Sequence, residues 1–377
     1  MKPARVAAIA RKECLHILRD PLSLLMALAI PALMLLLFGY ALTLDVDRVP
    51  LVVWDQDGSP ASRELISRFE GSRYFALHRY ATRYGDLELD LDERRALVGL
   101  VIPPQYGQRL RGGRTATVQL LVDGTDSNTA SLAIGYAEAL VLAQGERSQL
   151  ALAHRRFGRA PDPPLDFQPR VWYNPELRSR YDIVPGLIAV IMMIIAALLT
   201  SLTVAREWEN GTMEQLIATP VLAGELVAGK LIPYFGLGLL DVALAVLMGE
   251  FLFGVPLRGG LLLLFALATI FLSGALAIGI FFSIVSRSQL LASQLAMLTT
   301  FLPAFLLSGF MYPIRNMPEP IQYLTYLIPA RYFVYLLRAL YLKGAGVALL
   351  AGEALLLLAF GVAMTMLARA KFRKALE

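Results

Sequence analysis

The sequence contains few of the residues that usually perform chemistry. Its 377 residues include a single cysteine, Cys14, which excludes a disulfide bond within the chain. The histidines His16, His78 and His154 are scattered and belong to no metal-ligand spacing or nucleophile motif. The sequence therefore predicts no catalytic residue, no metal site and no cofactor bound by this chain.

Charged residues are also scarce, and whole stretches have none. Only 17% of the residues are charged, whereas 56% are hydrophobic. Asp, Glu, Lys and Arg are all missing from residues 22–44, 183–205, 259–286 and 288–314. A helix rises about 1.5 Å per residue, so about 20 apolar residues cross the hydrocarbon core of a membrane. Each stretch is long enough, which excludes an ordinary soluble protein.

Two further stretches are apolar but contain acids. Residues 231–254 include Asp241 and Glu250, and residues 347–368 include Glu353. With these two, the sequence predicts an α-helical polytopic membrane protein with six transmembrane helices. An acid inside a membrane span is costly, so Asp241 is predicted either to line a substrate path or to form an interhelical hydrogen bond.

Basic residues beside the spans predict the orientation. They precede the first span and follow the last: Lys2, Arg5, Arg11, Lys12, Arg19, Arg369, Lys371, Arg373 and Lys374. Such residues stay in the cytoplasm, so both termini are predicted to be cytoplasmic. The net charge of +5 is attributed to this topology, and nucleic acid is not expected as a partner. The domains are then 1–21, a first span at 22–44, an extracytoplasmic segment at 45–182, the other spans at 183–368 and a basic tail at 369–377.

Residues 3–19 have the pattern of an amphipathic helix on the cytoplasmic membrane surface. At 100° per residue, one side carries Arg5, Lys12, His16 and Arg19, and another carries Val6, Ala10, Cys14 and Ile17. The alternative is a flexible basic tail, but such tails rarely keep an apolar stripe.

The extracytoplasmic segment alternates strand and helix signals. Strand candidates occur at residues 50–54, 96–102 and 115–122. Ser59 followed by Pro60 predicts a helix start, and Asp126 or Ser127 is predicted to cap a long helix reaching about Phe157. Together these signals predict a compact inserted α/β domain. A proline-rich connector at residues 161–169 leads back towards the membrane.

A cytoplasmic loop at residues 206–230 begins after the second span. Thr212 and Gln215 have the spacing of a capping box, Gly211 permits a turn, and Pro220 ends the predicted short helix. Where an anchoring loop usually carries Lys or Arg, this loop carries Glu207, Glu209 and Glu214. It is therefore predicted either to meet a protein surface or to be an ordinary helical connection.

Residues 224–230 match the first part of a phosphate-binding loop, Gly-x-x-x-x-Gly-Lys. The next residue is Leu231, which lacks the hydroxyl that binds Mg²⁺, and no strand precedes the motif. We interpret the match as coincidence and predict that the chain does not hydrolyse ATP.

Residues 312–343 follow the fifth span and are apolar but interrupted by charges and by Pro329. They are predicted to form re-entrant or interfacial helices on the external side, because a seventh span would place the basic C-terminus outside.

Four segments, in their order relative to the spans, resemble the ABC-2 type transporter permeases. They are Trp172-Tyr173-Asn174-Pro175-Glu176 with Pro185-Gly186, residues 206–220 with Gly229-Lys230, residues 308–318, and residues 328–344. The large insertion after the first span is similar to the drug-exporter-like branch of that family.

The resemblance implies a bacterial inner-membrane permease that exports a drug-like, lipid or other amphipathic substrate. ATP and Mg²⁺ would be bound by a separate ATP-binding-cassette subunit, and a second permease, identical or paralogous, would complete the dimer. Residues 3–19 would be the connecting helix. The coupling residues implied are Arg206, Glu207, Glu209, Gly211, Thr212, Glu214, Gln215 and Leu216.

The same resemblance implies a substrate path at the dimer interface, between the second and fifth spans. Its candidate path or packing residues are Gly186, Asp241, Pro303, Ser308 and Gly309. A periplasmic adaptor and an outer-membrane channel are further expected partners. The alternative function is a membrane-anchored sensor with a periplasmic ligand-binding domain.

Overall fold

The computed structural model describes residues 2–42, 47–157, 170, 172–175 and 178–375. The chain divides into one unit made of Met1–Leu44 and Arg170–Glu377, and a second unit, Asp45–Pro169. The connector predicted at residues 161–169 and Glu176 of the resembling segment lie outside the described residues.

The first unit begins with helices α1 (Pro3–Arg19) and α2 (Pro21–Ala41). The bounds of α1 agree with the predicted helix, and its contact with the membrane surface stays a prediction. Glu13 and Ile17 are buried, whereas Cys14 is exposed. Glu13 is buried because it pairs with a lysine elsewhere in the chain.

The second unit contains a four-stranded sheet within residues 47–157, in the order β2-β1-β3-β4. Strand β1 (Val49–Asp55) is parallel to β2 (Phe75–Tyr80) and β3 (Val98–Ile102), and β4 (Gln119–Val122) is antiparallel to β3. The helices are α3 (Pro60–Glu70), α4 (Tyr84–Asp92), α5 (Tyr106–Arg111) and α6 (Ser127–Phe157).

The central strands β1 and β3 are nearly continuous apolar runs, as expected of strands covered on both faces. Ser59 caps α3 by accepting a hydrogen bond from the Ser62 amide at 3.2 Å, and Asp126 accepts one from the Asn128 amide at 3.0 Å at the start of α6. Strand β2 was absent from the sequence prediction. It is an edge strand with half-exposed residues, and it places the charged Arg79 against Asp90 at 2.7 Å.

The first unit continues with a series of helices. They are α7 (Arg180–Glu209), α8 (Thr212–Ile217), α9 (Ala223–Leu247) with a π-helical turn (Met248–Leu252), α10 (Leu261–Ser286), α11 (Gln289–Leu307), α12 (Glu319–Thr325), α13 (Pro329–Lys343) and α14 (Val347–Ala375). Among the described residues, α7, α9, α10, α11 and α14 contain the 5 stretches that are long and apolar enough to cross a membrane. The shorter apolar stretch Ala27–Ala41 lies in α2. The chain is thus a mostly helical, polytopic membrane protein.

Helix α7 is the centre of this unit and is the most buried of the long helices. The hydroxyl of Ser283 in α10 accepts hydrogen bonds from the amides of Val204 and Ala205 in α7, each at 2.9 Å. Helix α13 packs on the same core through Phe333, whose ring stacks on Phe271 with centroids 4.1 Å apart. With 15 residues, α13 is about 22 Å long, too short to cross a bilayer.

Candidate coupling site and transport path

Helix α8 occupies the centre of the loop between α7 and α9. Gly211 precedes it with φ +68°, a left-handed conformation that glycine adopts without strain. Thr212 is already the first helical residue, and its hydroxyl donates to the Glu207 carbonyl at 3.3 Å. The predicted capping box of Thr212 and Gln215 is therefore wrong, because the cap position belongs to Gly211.

The two sides of α8 have different environments. Met213 is 1% exposed and belongs to a cluster with Val204, Leu226 and Phe372. Leu216 is half-buried beside the same cluster. Thr212, Glu214 and Gln215 are exposed. One side of α8 is thus fixed to the helical bundle, and the other presents polar side chains.

Four charged residues form what we call the ion cluster: Lys12, Glu13, Glu207 and Lys230. The Lys230 ammonium lies 2.8 Å from Glu13 Oε1 and 2.9 Å from Glu207 Oε1. The Lys12 ammonium lies 2.9 Å from the same Glu207 oxygen. The cluster joins α1, α7 and α9, and its two lysines and two glutamates balance in charge.

The ion cluster corrects the predicted role of Glu207 as part of a partner-facing acidic surface. Glu207 is 7% exposed and Lys230 is 1% exposed. A buried lysine requires carboxylate partners, and Glu207 is one of them. For Lys12, partial burial lowers the pKa, but the hydrogen bond and charge of Glu207 raise it by more, so its pKa lies above the usual value. The lysine therefore stays charged at neutral pH.

A polar cavity of about 170 Å³ lies beside the ion cluster and is lined by residues including His16, Arg206 and Tyr234. Among the described residues, Glu207 Oε2 has no hydrogen-bond partner. The cavity has room for several waters, which can satisfy this oxygen.

Arg206 and Glu209 also connect helices within the chain. The Arg206 guanidinium lies 3.1 Å from His16 Nε2 of α1 and 3.4 Å from Gln289 Oε1 of α11. Glu209 is exposed, yet its Oε1 accepts the Gln289 amide of α11 at 2.8 Å. Of the predicted acidic surface, Glu214 alone lacks a described contact of this kind to another helix and remains on the exposed side of α8.

Residues 224–230 lie inside helix α9, so the Gly-x-x-x-x-Gly-Lys match has no loop geometry. Gly229 packs directly against Ile9 of α1. The first turn of α9 is also tied to α1, since Glu225 accepts the backbone amide of Lys2 at 2.6 Å and lies 3.6 Å from Arg5. Among the described residues, no group of three or more His, Cys, Asp and Glu side chains is arranged to hold a metal ion.

The C-terminal segment contributes to the coupling site, which the sequence analysis missed. Helix α14 continues to Ala375, and Phe372 is 2% exposed in the cluster that contains Met213 of α8. Arg369 of α14 lies against Gly224 at the start of α9. The one signal in the sequence was a lone aromatic residue among basic ones, four positions after Ala368.

The structure brings together three of the predicted path residues, Gly186, Ser308 and Gly309. Phe310 packs on Gly186 so closely that a Cβ at this position would lie 2.6 Å from the ring. The Ser308 hydroxyl accepts the Phe310 amide at 3.2 Å. The start of α7 and the segment that follows α11 therefore approach each other closely here.

Arg338 of α13 joins these two helix ends. Its guanidinium donates to the carbonyl of Gly309 at 2.8 Å, to the carbonyl of Phe310 at 3.2 Å and to the carboxylate of Asp182 at 2.8 Å. We call Asp182, Gly309, Phe310 and Arg338 the arginine latch. The sequence analysis noted Arg338 only as a charge in an apolar stretch, because its partners are distant in the chain.

Pro303 and Asp241 lie apart from the latch. Pro303 is within α11, and Asp241 is on α9 with 2% exposure. Among the described residues, Asp241 Oδ1 has no hydrogen-bond partner. The interhelical hydrogen bond considered for Asp241 is therefore not seen at this oxygen.

The fold and these sites define a membrane protein in which the ion cluster holds one end of α7 and the arginine latch holds the other. A family model described as ABC-2 family transporter protein matches residues 22–370. The chain belongs to the ABC-2 family of transporter proteins. This membership favours a permease over the sensor considered from sequence.

Named relatives agree over nearly the whole chain. The "Probable multidrug ABC transporter permease YbhS" of Escherichia coli is 38% identical over 376 residues, covering 99% of this chain and 98% of the relative. "Probable multidrug ABC transporter permease YbhR" of the same organism is 29% identical over 346 residues, 91% of each chain. Its "Inner membrane transport permease YhhJ" is 27% identical over 333 residues, 87% of this chain and 86% of the relative.

Proposed function

We propose that this permease is the membrane subunit of an exporter driven by a separate cytoplasmic ATPase subunit, which binds ATP and Mg²⁺. A drug-like, lipid or other amphipathic substrate would leave the cytoplasm or inner leaflet through it. Family membership and the names of the relatives support this proposal. So does the helical position of residues 224–230, which leaves the chain without a phosphate-binding loop there.

The proposed topology has six spans with both termini in the cytoplasm. Helix α1, before the first span, and the end of α14, after the last, both pack on the start of α9. Termini on the same side of a membrane require an even number of crossings. Helix α2 has 21 residues without a charge, about 31 Å in length, so it would be the sixth span beside the five long helices. Residues 45–182 would then lie outside.

The observation that carries the coupling proposal is the ion cluster, together with the packing of Met213 on Phe372. The apolar cluster fixes α8 on α7, α9 and α14, and the ion cluster ties α1 to α7 and α9. A rigid element of this kind can transmit a displacement to the spans. The exposed Thr212, Glu214 and Gln215 would meet the ATPase subunit.

The proposed assembly contains two permeases, with the path between α7 and α11 of each. Helix α11 keeps most of its surface exposed in the single chain, which leaves it available to a second permease. Contact of the external unit with a periplasmic adaptor and an outer-membrane channel is proposed from the family resemblance alone.

The test is recovery of the ATPase subunit with the purified permease in mild detergent. We expect the wild-type chain to recover a stoichiometric amount of the ATPase subunit. Glu214→Lys should recover about tenfold less of it, because the reversed charge faces the partner. Gly211→Pro should lose the partner as well, since proline requires φ near −65°. The matched control is Glu88→Lys at an exposed position of α4, which should retain the ATPase. A wild-type chain that binds no ATPase would refute the proposal.

A further inference from the structure

Asp241 is a buried acid for which the described chain supplies no partner at Oδ1. It lies eleven residues beyond Lys230 on α9, about 16 Å along the helix axis, or about half the thickness of a bilayer's hydrocarbon core. A lone charge at such a depth is costly, and acids in membrane spans generally mark ligand paths or have partners. The Oδ1 atom of Asp241 is therefore available to a partner from outside the described chain.

The carboxyl group of Asp241 borders a small cavity between α2, α7 and α9. Pro31, Ala32 and Leu35 line it from α2, and Ile191 and Met192 line it from α7. Apart from Asp241, all of its lining side chains are apolar. The cavity measures about 10 Å³, which is room for roughly one water molecule. An ammonium group has about that size, whereas a trimethylammonium group does not fit.

Asp241 supplies the charged acceptor of this cavity. An ammonium group has three donors and gains from a carboxylate acceptor. In a site from which water is largely excluded, the attraction between ammonium and carboxylate is strong.

The surroundings of the cavity suit a ligand with an apolar tail. Leu33 and Leu36 of α2 and Leu240 and Leu247 of α9 are exposed in the single chain. An amine that carries a hydrocarbon chain can lay it along these side chains while its head reaches the acid.

We propose that Asp241 binds the primary ammonium group of an amphipathic amine that enters from the bilayer between α2 and α9. None of the described residues that line the cavity belongs to α11, so this site is distinct from the path proposed between α7 and α11. The binding requires neither ATP nor the ATPase subunit. Its test is therefore independent of the proposed export function.

The experiment measures binding of radiolabelled dodecylammonium to the full-length chain in nanodiscs of a zwitterionic lipid. We expect saturable binding of one amine per chain. Dodecyltrimethylammonium and dodecanol should each compete at least about tenfold more weakly, the first because its head is too large and the second because it has no charge. Equal competition by the trimethyl compound would overturn the size argument and with it the proposal.

Two variants test the site itself. Asp241→Asn keeps the shape of the side chain and should weaken binding by at least about tenfold. Ala32→Leu leaves Asp241 in place but fills the cavity, and it should also weaken binding by at least about tenfold. The matched control is Glu250→Gln, an exposed acid on the π-helical turn that follows α9, which should bind as the wild type does. Unchanged binding in Asp241→Asn would mean that the amine sits elsewhere, and a cavity that holds only water would give no saturable binding; either result refutes the proposal.

Discussion

The ion cluster and the arginine latch both join α7 to other helices through charged side chains, but they differ in exposure and in the kind of partner. In the ion cluster, the Lys230 side chain is 1% exposed and meets two carboxylates. In the latch, the Arg338 side chain is 23% exposed, and its one carboxylate partner, Asp182, is 55% exposed. Its other described acceptors are backbone carbonyls.

This difference sets what each contact costs to break. Removing one member of a buried ion pair leaves an uncompensated charge and costs about 3 to 5 kcal/mol. Water can replace the partners of a partly exposed pair, which is worth about 0 to 1 kcal/mol. The ion cluster is therefore expected to stay closed, and the latch is suited to open and close during the proposed transport cycle.

The largest effect should come from Lys230→Met, which keeps the side-chain volume but leaves Glu13 and Glu207 buried with less compensation. We expect a loss of about 3 kcal/mol in stability, because both carboxylates lose their shared ammonium. Thermal unfolding of the purified chain measures it. Lys12→Met is the matched control, since that side chain is 55% exposed and should cost less than about 1 kcal/mol. Equal losses in the two variants would contradict the distinction between buried and exposed members.

The next effect concerns the support of α8 by Phe372. Phe372→Ala should remove packing under Met213 and destabilise locally by about 3 kcal/mol, the lower range for such truncations. We expect the assembled transporter to hydrolyse more ATP per substrate moved, because α8 is no longer held rigidly. The ratio of ATPase rate to transport rate in proteoliposomes measures this coupling.

Two further variants separate positioning from a general loss of folding. Phe372→Leu should restore most of the coupling, since it refills the cluster with an apolar side chain. Leu367→Ala, at a position that is 50% exposed on the same helix, should leave the ratio unchanged. A normal ratio in Phe372→Ala would show that α14 does not support α8 in this way.

The helical framework could be predicted from sequence because its signals are local. The uncharged stretches, together with Ser59 followed by Pro60, predicted elements close to those observed. Strand β2 had no such signal, because its residues alternate poorly and Arg79 looks like a surface residue until Asp90 is placed beside it.

The ion cluster could not be predicted in this way. Glu13 and Lys230 are 217 positions apart, and Lys12 and Glu207 are 195 apart. A local pattern assigns each of these charges to the surface, so Glu207 was wrongly placed on the partner-facing side. Gly186 was a better guide to a packing contact, because close packing depends on residue size, which is visible in the sequence itself.

Arg338→Gln is expected to have the smallest effect on stability but a clear effect on how easily a reagent reaches Ser308 from outside. The variant loses the ion pair with Asp182 and bonds more weakly to the carbonyls of Gly309 and Phe310, so the free energy of unfolding should fall by about 1 kcal/mol. The ends of α7 and α11 should then separate more often. A cysteine at buried Ser308, in a chain with Cys14→Ser, reports this through its labelling rate with a membrane-impermeant maleimide added from outside.

The matched control for the latch is Arg331→Gln on the same helix. Arg331 contacts Thr325 and stacks over the Tyr326 ring at 3.8 Å, so it has the same charge and a similar environment but bonds to α12 and the turn that follows it. We expect faster labelling at position 308 in Arg338→Gln and no change in Arg331→Gln. If both variants label at the wild-type rate, the latch does not hold these helix ends, and opening must be limited by the apolar contact of Phe310 with Gly186. If both accelerate equally, the effect belongs to α13 as a whole.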